Sequence, residues 1–327
     1  MADRVRWGIL GTGSIAKQFA RGLEHADGAE LVAVGSRHAD TANAFGEEFD
    51  VPQRYPSYED CVADAQVDII YVASPHSEHK ANTLLALEAG KAVLCEKPFT
   101  INTNELREVI AFARTKKLLL MEAMWTRFFP IMVELRQRLA DNAIGEVRMV
   151  TADFGFRADY EPTSRLFDPA FGGGALLDVG VYPISLSSMI LGKPSNITGL
   201  ATLCGTGVDE QAGMVLGHDA GQLAVLHTSV RTTTAQEAII YGTEGHIRIH
   251  SAWWRPDAMT IVRSGEDDEI VKMPVKGNGY NYEAEEMGRL LHAGKTESAV
   301  MTLDESVTIM ETLDALRAQW GVKYPME

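Results

Sequence analysis

The sequence predicts an α/β protein, a doubly wound parallel sheet followed by a C-terminal α+β domain built on a mainly antiparallel open sheet. Three observations carry this. Residues 5–16 read as strand, glycine turn and helix. The first third alternates buried apolar runs with helices of roughly 10–15 residues, which implies parallel pairing. Beyond Trp125 the apolar runs are joined by short turns, which suit antiparallel hairpins.

In order, the apolar run 7–10 is the first strand, and the segment from Ser14 is a helix. The β-branched run 29–35 is a second strand, and 40–48 a helix. Residues 67–73 form a buried strand, then an amphipathic helix covers 78–89 and Gly90 stops it. A strand at 91–95 leads to Glu96-Lys97-Pro98, a helix over 104–115 and a strand at 118–122. In the second part a long strand spans 145–157 and a helix 173–191. Strands follow at 197–203, 212–218, 221–230, 238–241 and 246–250, and helices at 282–293 and 303–320. The expected division is 1–124 for a dinucleotide-binding domain and 125–327 for a substrate-binding and dimerisation domain.

The turn Gly11-Thr12-Gly13-Ser14-Ile15-Ala16 has the spacing and context of a dinucleotide fingerprint. Gly11 permits the tight turn, Gly13 lets backbone approach a pyrophosphate, and Ala16 lets the helix pack closely on the strand. The helix N-terminus offers unpaired N–H groups to phosphate oxygens. With this turn in place, the first domain is expected to be a Rossmann sheet.

The chain has 327 residues and a net charge of −15, which argues against nucleic acid or an anionic membrane as partner. No apolar run reaches the ~20 residues of a bilayer span, and no secretory signal is visible, so the cytoplasm is the expected location. Cys61, Cys95 and Cys204 are widely spaced and show no disulfide or zinc pattern.

The end of the second strand carries Ser36-Arg37 rather than the acid that holds a ribose hydroxyl. A hydroxyl and a guanidinium suit a 2′-phosphate, so NADP is favoured over NAD. Ligands lie beyond the carboxyl ends of such strands, which brings Ser74, Pro75, His76, Glu96 and Lys97 to the cleft. His76 and His79, at i and i+3, either share a helix face or reach the ligand. As a pair they suggest a metal only weakly, and no further ligand set accompanies them, so no metal is expected. Lys97 is a cation fixed by a buried strand and a proline. In 172–182 three glycines precede a helix on which Asp178 and Tyr182 stand at i and i+4. That pattern fits a site, and equally a glycine hinge with a core tyrosine.

Together the glycine turn, Glu96-Lys97-Pro98 and Asp178-Val179-Gly180-Val181-Tyr182 resemble the family that includes glucose–fructose oxidoreductase and inositol dehydrogenase. The resemblance covers essentially the whole chain. Segments 90–99, 121–130 and 172–182 are most similar to its dimeric dihydrodiol dehydrogenases, which also oxidise aldoses such as D-xylose with NADP. Tyr182, where sugar dehydrogenases of the family usually have histidine, supports that subgroup. The resemblance implies that Lys97 and Tyr182 are catalytic, that Trp125, Arg127 and Phe154 border the substrate, and that the peptide before Pro98 is cis. A broad open sheet must also cover its outer face, and a homodimer through that sheet is one way to do so.

The expected reaction is hydride transfer between a carbinol carbon of a diol or aldose and nicotinamide. Tyr182 is the expected base, with the Lys97 ammonium favouring phenolate and Asp178 orienting Lys97 or a substrate hydroxyl. The rivals are a sugar or inositol dehydrogenase, a carbonyl reductase, and a non-catalytic NADP-binding regulator. Retention of both Lys97 and Tyr182 speaks against the last.

Overall fold

The computed structural model describes residues 4–327. Its first strands are β1 (Val5–Leu10), β2 (Ala29–Gly35), β3 (Gln53–Tyr55), β4 (Ile69–Val72), β5 (Ala92–Glu96) and β6 (Leu120–Ala123). Among them lie α1 (Ser14–Leu23), α2 (Ala39–Glu48), α3 (Tyr58–Ala63), α4 (His79–Glu88) and α5 (Thr103–Lys116). These strands pair in parallel in the order β3-β2-β1-β4-β5-β6. Strand order therefore reverses between β1 and β4, the place where doubly wound sheets hold ligands. Strands β4 and β5 are buried at every residue, as a parallel sheet covered on both faces requires.

Next come α6 (Pro130–Ala140), β7 (Val147–Gly155), a π-helical turn (Leu176–Gly180) and α7 (Val181–Leu191). Strands β8 (Asn196–Leu203), β9 (Asp209–Gly217), β10 (Leu223–Ser229), β11 (Ala238–Gly242) and β12 (Gly245–Ile249) follow. Strands β13 (Ala258–Arg263) and β14 (Glu269–Lys272) and helices α8 (Tyr280–His292) and α9 (Leu303–Trp320) complete the set. The second sheet runs β14-β13-β12-β11-β7-β10-β9-β8, antiparallel at each pairing except the parallel β7–β10 pair. Both predicted sheets are present.

Two compact units result, one of residues 4–128 and 276–306, the other of 129–275 and 307–327. Segment 276–306, expected in the second domain, thus belongs with the first sheet. There α8 packs on α1 so closely that a Cβ on Gly22 would stand 2.6 Å from Tyr280 Cβ. The sequence reading also passed over β3, α3, α6, β13 and β14, several of them too short to show a period. The helix expected at 173–191 opens with the π turn. Pro183 lacks the N–H that an α-helix would bring to Val179, so regular i→i−4 pairing is broken there.

The helical stretch 169–191 is long and apolar enough to cross a membrane by length and composition alone. Of its most apolar window, 83 % is buried inside the fold, as in a core helix.

Candidate functional site

In the first unit, β1 is followed by Gly11 with φ at +108°, and a Cβ there would meet the Ala73 carbonyl oxygen at 2.8 Å. Only glycine fits that approach. Gly13 differs, because a Cβ built on it meets nothing within 4 Å, and its φ of −72° suits any residue. Its lack of a side chain is therefore not needed by the fold. It leaves a backbone cradle at the head of α1, where no side chain caps the first N–H groups. Thr12 and Ile15 are half-buried, Ser14 is exposed, and Ala16 is fully buried against the sheet. This arrangement fits a pyrophosphate.

At the end of β2, Ser36 is buried and its Oγ lies 2.6 Å from Thr41 Oγ1, while Arg37 is exposed. After β4, Ser74 Oγ accepts from Asn82 Nδ2 at 2.9 Å, and Pro75 and His76 are half-buried. Lys97, also half-buried, follows β5, and the Lys97–Pro98 peptide is cis. The loop is tethered on both sides. Glu122, at the end of β6, accepts from the Phe99 N–H at 3.1 Å and from Ser306 Oγ at 2.7 Å. Burial pushes the Glu122 carboxyl up to about 7, against the Ser306 hydroxyl and the Arg127 charge.

Four expected site residues make close contacts within this unit. His79 is fully buried, with Nδ1 2.8 Å from the Pro98 carbonyl and Nε2 2.9 Å from the Ser74 carbonyl. Its ring braces the two loops and offers no nitrogen to a ligand. Burial lowers its pKa to about 4. Glu96 turns inward, accepting from the Tyr71 hydroxyl and, through Oε2, from the Lys97 N–H at 3.2 Å. Behind it Glu283 of α8 is fully buried, and burial, then the Glu96 charge, raise its carboxyl well above the usual range. Arg127 is buried and forks onto the Glu305 carboxylate, with both contacts 2.7 Å long, and also reaches the Val300 carbonyl. Trp125 stacks on Tyr280, centroids 4.1 Å apart, with little surface left exposed. A motif gives positions along a chain, and it was the direction of each side chain that was not legible.

In the second unit, Asp178 lies in the π turn and pairs with Arg165 at 2.9 Å. Asp178 thus precedes Tyr182 by one turn, across the junction of the π turn with α7. Tyr182 is largely buried in the first turn of α7, and its ring leans on Phe154, centroids 5.3 Å apart. Phe154 stacks in turn on Trp254 at 4.9 Å. Neither Trp254 nor Arg165 was anticipated, since both stand in irregular segments without a motif. Among the described residues, no group of three or more His, Cys, Asp or Glu side chains is arranged to hold a metal.

Comparison with known proteins agrees with this architecture. Residues 5–124 match a family model described as an oxidoreductase family with an NAD-binding Rossmann fold. Residues 132–248 match a GFO/IDH/MocA C-terminal domain. The chain is 37 % identical to the mouse (Mus musculus) trans-1,2-dihydrobenzene-1,2-diol dehydrogenase, covering 99 % of each chain. It is 36 % identical to the human (Homo sapiens) protein of that name, again over 99 % of each. A solved 3-ketoreductase from Actinomadura kijaniata, in complex with TDP-benzene and NADP, is similar with a TM-score of 0.84. That similarity is at 25 % identity and covers 97 % of this chain and 98 % of the other.

Proposed function

Since the chain belongs to the GFO/IDH/MocA family of oxidoreductases, we propose that it oxidises a CH–OH group of a diol or aldose, with NADP as hydride acceptor. The observation that carries this reading is the 11–13 turn, whose second glycine is open on the side where a pyrophosphate would lie. When bound, a nicotinamide cofactor supplies the hydride chemistry. Gly11, Thr12, Gly13, Ser14 and Ile15 would hold its pyrophosphate, with Ser74, Pro75 and His76 further along the strand ends. Ser36 and Arg37 support NADP over NAD, because a carboxylate in their place would repel a 2′-phosphate.

In this reading Tyr182 takes the hydroxyl proton and the Lys97 ammonium favours its phenolate. Asp178, paired with Arg165, stands in the π turn that leads to the phenol. Phe154 and Trp254 supply an apolar wall beside Tyr182, which supports an aromatic or otherwise apolar diol over a polyol. The exposed faces of β8, β9 and β10 carry Leu200, Val215, Leu223 and Val225, and Leu200 is 84 % exposed. A second copy of this chain is the occupant proposed for that apolar face, testable by sedimentation.

The deciding experiment measures NADPH formation with a panel of diols and aldoses in wild type and Tyr182→Phe. At least a tenfold loss of kcat with unchanged NADP affinity is expected. Near-normal turnover would move the proton to another group.

A further inference from the structure

The π turn and α7 are entered through Gly172-Gly173-Gly174, and side chains from distant segments of the second unit hold this entry at two points. The Tyr324 hydroxyl donates to the Gly173 carbonyl at 2.6 Å. The Leu176 N–H donates to Asp209 Oδ2 at 2.7 Å. Asp209, first residue of β9, is fully buried, and its Oδ1 has no hydrogen-bond partner. That oxygen lies 2.5 Å from where a Cβ on Gly174 would stand, at φ +118°. The carboxylate thus rests directly against the glycine backbone.

Tyr324 is itself fixed. The Arg317 guanidinium lies 4.9 Å from its ring centroid, and Arg317 forks onto Glu327 with two bonds of 2.9 Å. Arg317 also meets Asp314 at 2.6 Å, and the Tyr324 N–H donates to Glu327 at 2.9 Å. Asp209, Arg317 and Tyr324 are buried, and burying polar groups is not an efficient way to stabilise a core, where apolar packing of the same volume does as well or better. What the arrangement supplies is a defined position for the turn.

We infer that Asp209 and Tyr324 are positioning residues for Tyr182: between them they fix the entry to the helix that carries the phenol. The inference rests on the proposed role of Tyr182. The first N–H groups of a helix have no partner within it, and an external carboxylate both satisfies one and interacts favourably with the positive end of the helix dipole. Without that anchor the turn can tilt, and a phenol displaced by about 1 Å loses much of its effectiveness.

The anchor is sensitive to pH. Burial pushes the Asp209 carboxyl up to about 6, while the Leu176 N–H, its own N–H and the Arg317 charge act against burial. Tyr324 is the other titratable group facing it. Burial, then the Asp209 charge, hold that phenol well above its ordinary range, so it stays neutral. On acidification the unpartnered Oδ1 takes the proton, and Oδ2 goes on accepting from Leu176 without the charge that roughly doubles the bond's strength.

The test uses the full chain. Asp209→Asn keeps an acceptor for Leu176 but not the charge, so it imitates the protonated state at every pH. Its kcat is expected to fall about fivefold at pH 7.5, with the NADP dissociation constant unchanged and the acid limb near pH 6 gone. Tyr324→Phe should lower kcat similarly and keep that limb. Hydrogen exchange across 173–181 should rise in both variants. Wild-type kcat in both, or weaker NADP binding alongside the lower kcat, overturns the inference. If the wild type itself is inactive, the catalytic reading fails. Unchanged exchange in the two variants overturns the present inference on its own.

Discussion

Phe154 packs its ring against Tyr182 with the two planes inclined at 59°, and it also makes a near-parallel stack on Trp254. A strand residue thereby ties the helical phenol to an aromatic side chain in an irregular segment. Trp254→Ala is expected to raise KM for an aromatic diol at least fivefold and to leave NADP affinity alone. Phe154→Ala should also cost about 3 kcal/mol of stability, the usual loss on emptying a buried phenylalanine site. Steady-state kinetics and urea unfolding measure the two effects.

The two glycines of the nucleotide turn should respond in opposite ways. Gly13→Ala leaves the melting temperature unchanged or slightly higher, because the added methyl meets no atom and the backbone is compatible. NADP affinity should fall at least tenfold. Gly11→Ala destabilises the protein, because the methyl meets the Ala73 carbonyl at a positive φ. Thermal unfolding alongside isothermal titration separates these outcomes.

Arg127 is expected to act on stability, through its contacts with Glu305 and Val300. Arg127→Ala leaves the Glu305 carboxylate and the Val300 carbonyl without their partner, and the loss should be roughly 2–3 kcal/mol. That is below the cost of breaking a fully buried pair, because the Glu305 side chain keeps 23 % of its surface exposed. KM should stay within twofold of wild type. A larger rise in KM with normal urea stability would return Arg127 to the substrate.

Glu122 makes stability depend on pH in the less common direction. Its folded pKa of about 7 lies above the ordinary carboxyl value of 4.5 that applies to the unfolded chain. Between those values the folded protein holds a proton that the unfolded chain has released, so stability falls as pH rises through this window and levels off above it. Glu122→Gln should remove that component, roughly 2–4 kcal/mol across the window, and unfold at higher urea than wild type at pH 8. Urea midpoints from pH 4.5 to pH 8 provide the comparison.

Both sheets could be read from the sequence because burial on two faces leaves continuous apolar runs, as at β4 and β5, and one-sided burial leaves alternation, as in β9 and β10. Gly11, Gly13, Lys97 and Tyr182 were legible because a motif fixes residue type and spacing. What escaped depended on direction or on distant partners. His79 and Glu96 sit in the expected loops but point into the protein, and Arg127 is claimed by Glu305, 178 positions later. Asp209, Tyr324 and Trp254 belong to no local pattern. The π turn at Leu176–Gly180 is also invisible to a period count, which assumes regular winding on both sides of Pro183.

The return of segment 276–306 to the first sheet affects how the protein is made. On the ribosome, Gly22 and its helix emerge early and then wait for the Tyr280 helix that covers them, until residues 129–275 have been synthesised. A nascent chain cut at residue 128 should expose that uncovered apolar surface and engage chaperones, although it already carries every strand of the sheet.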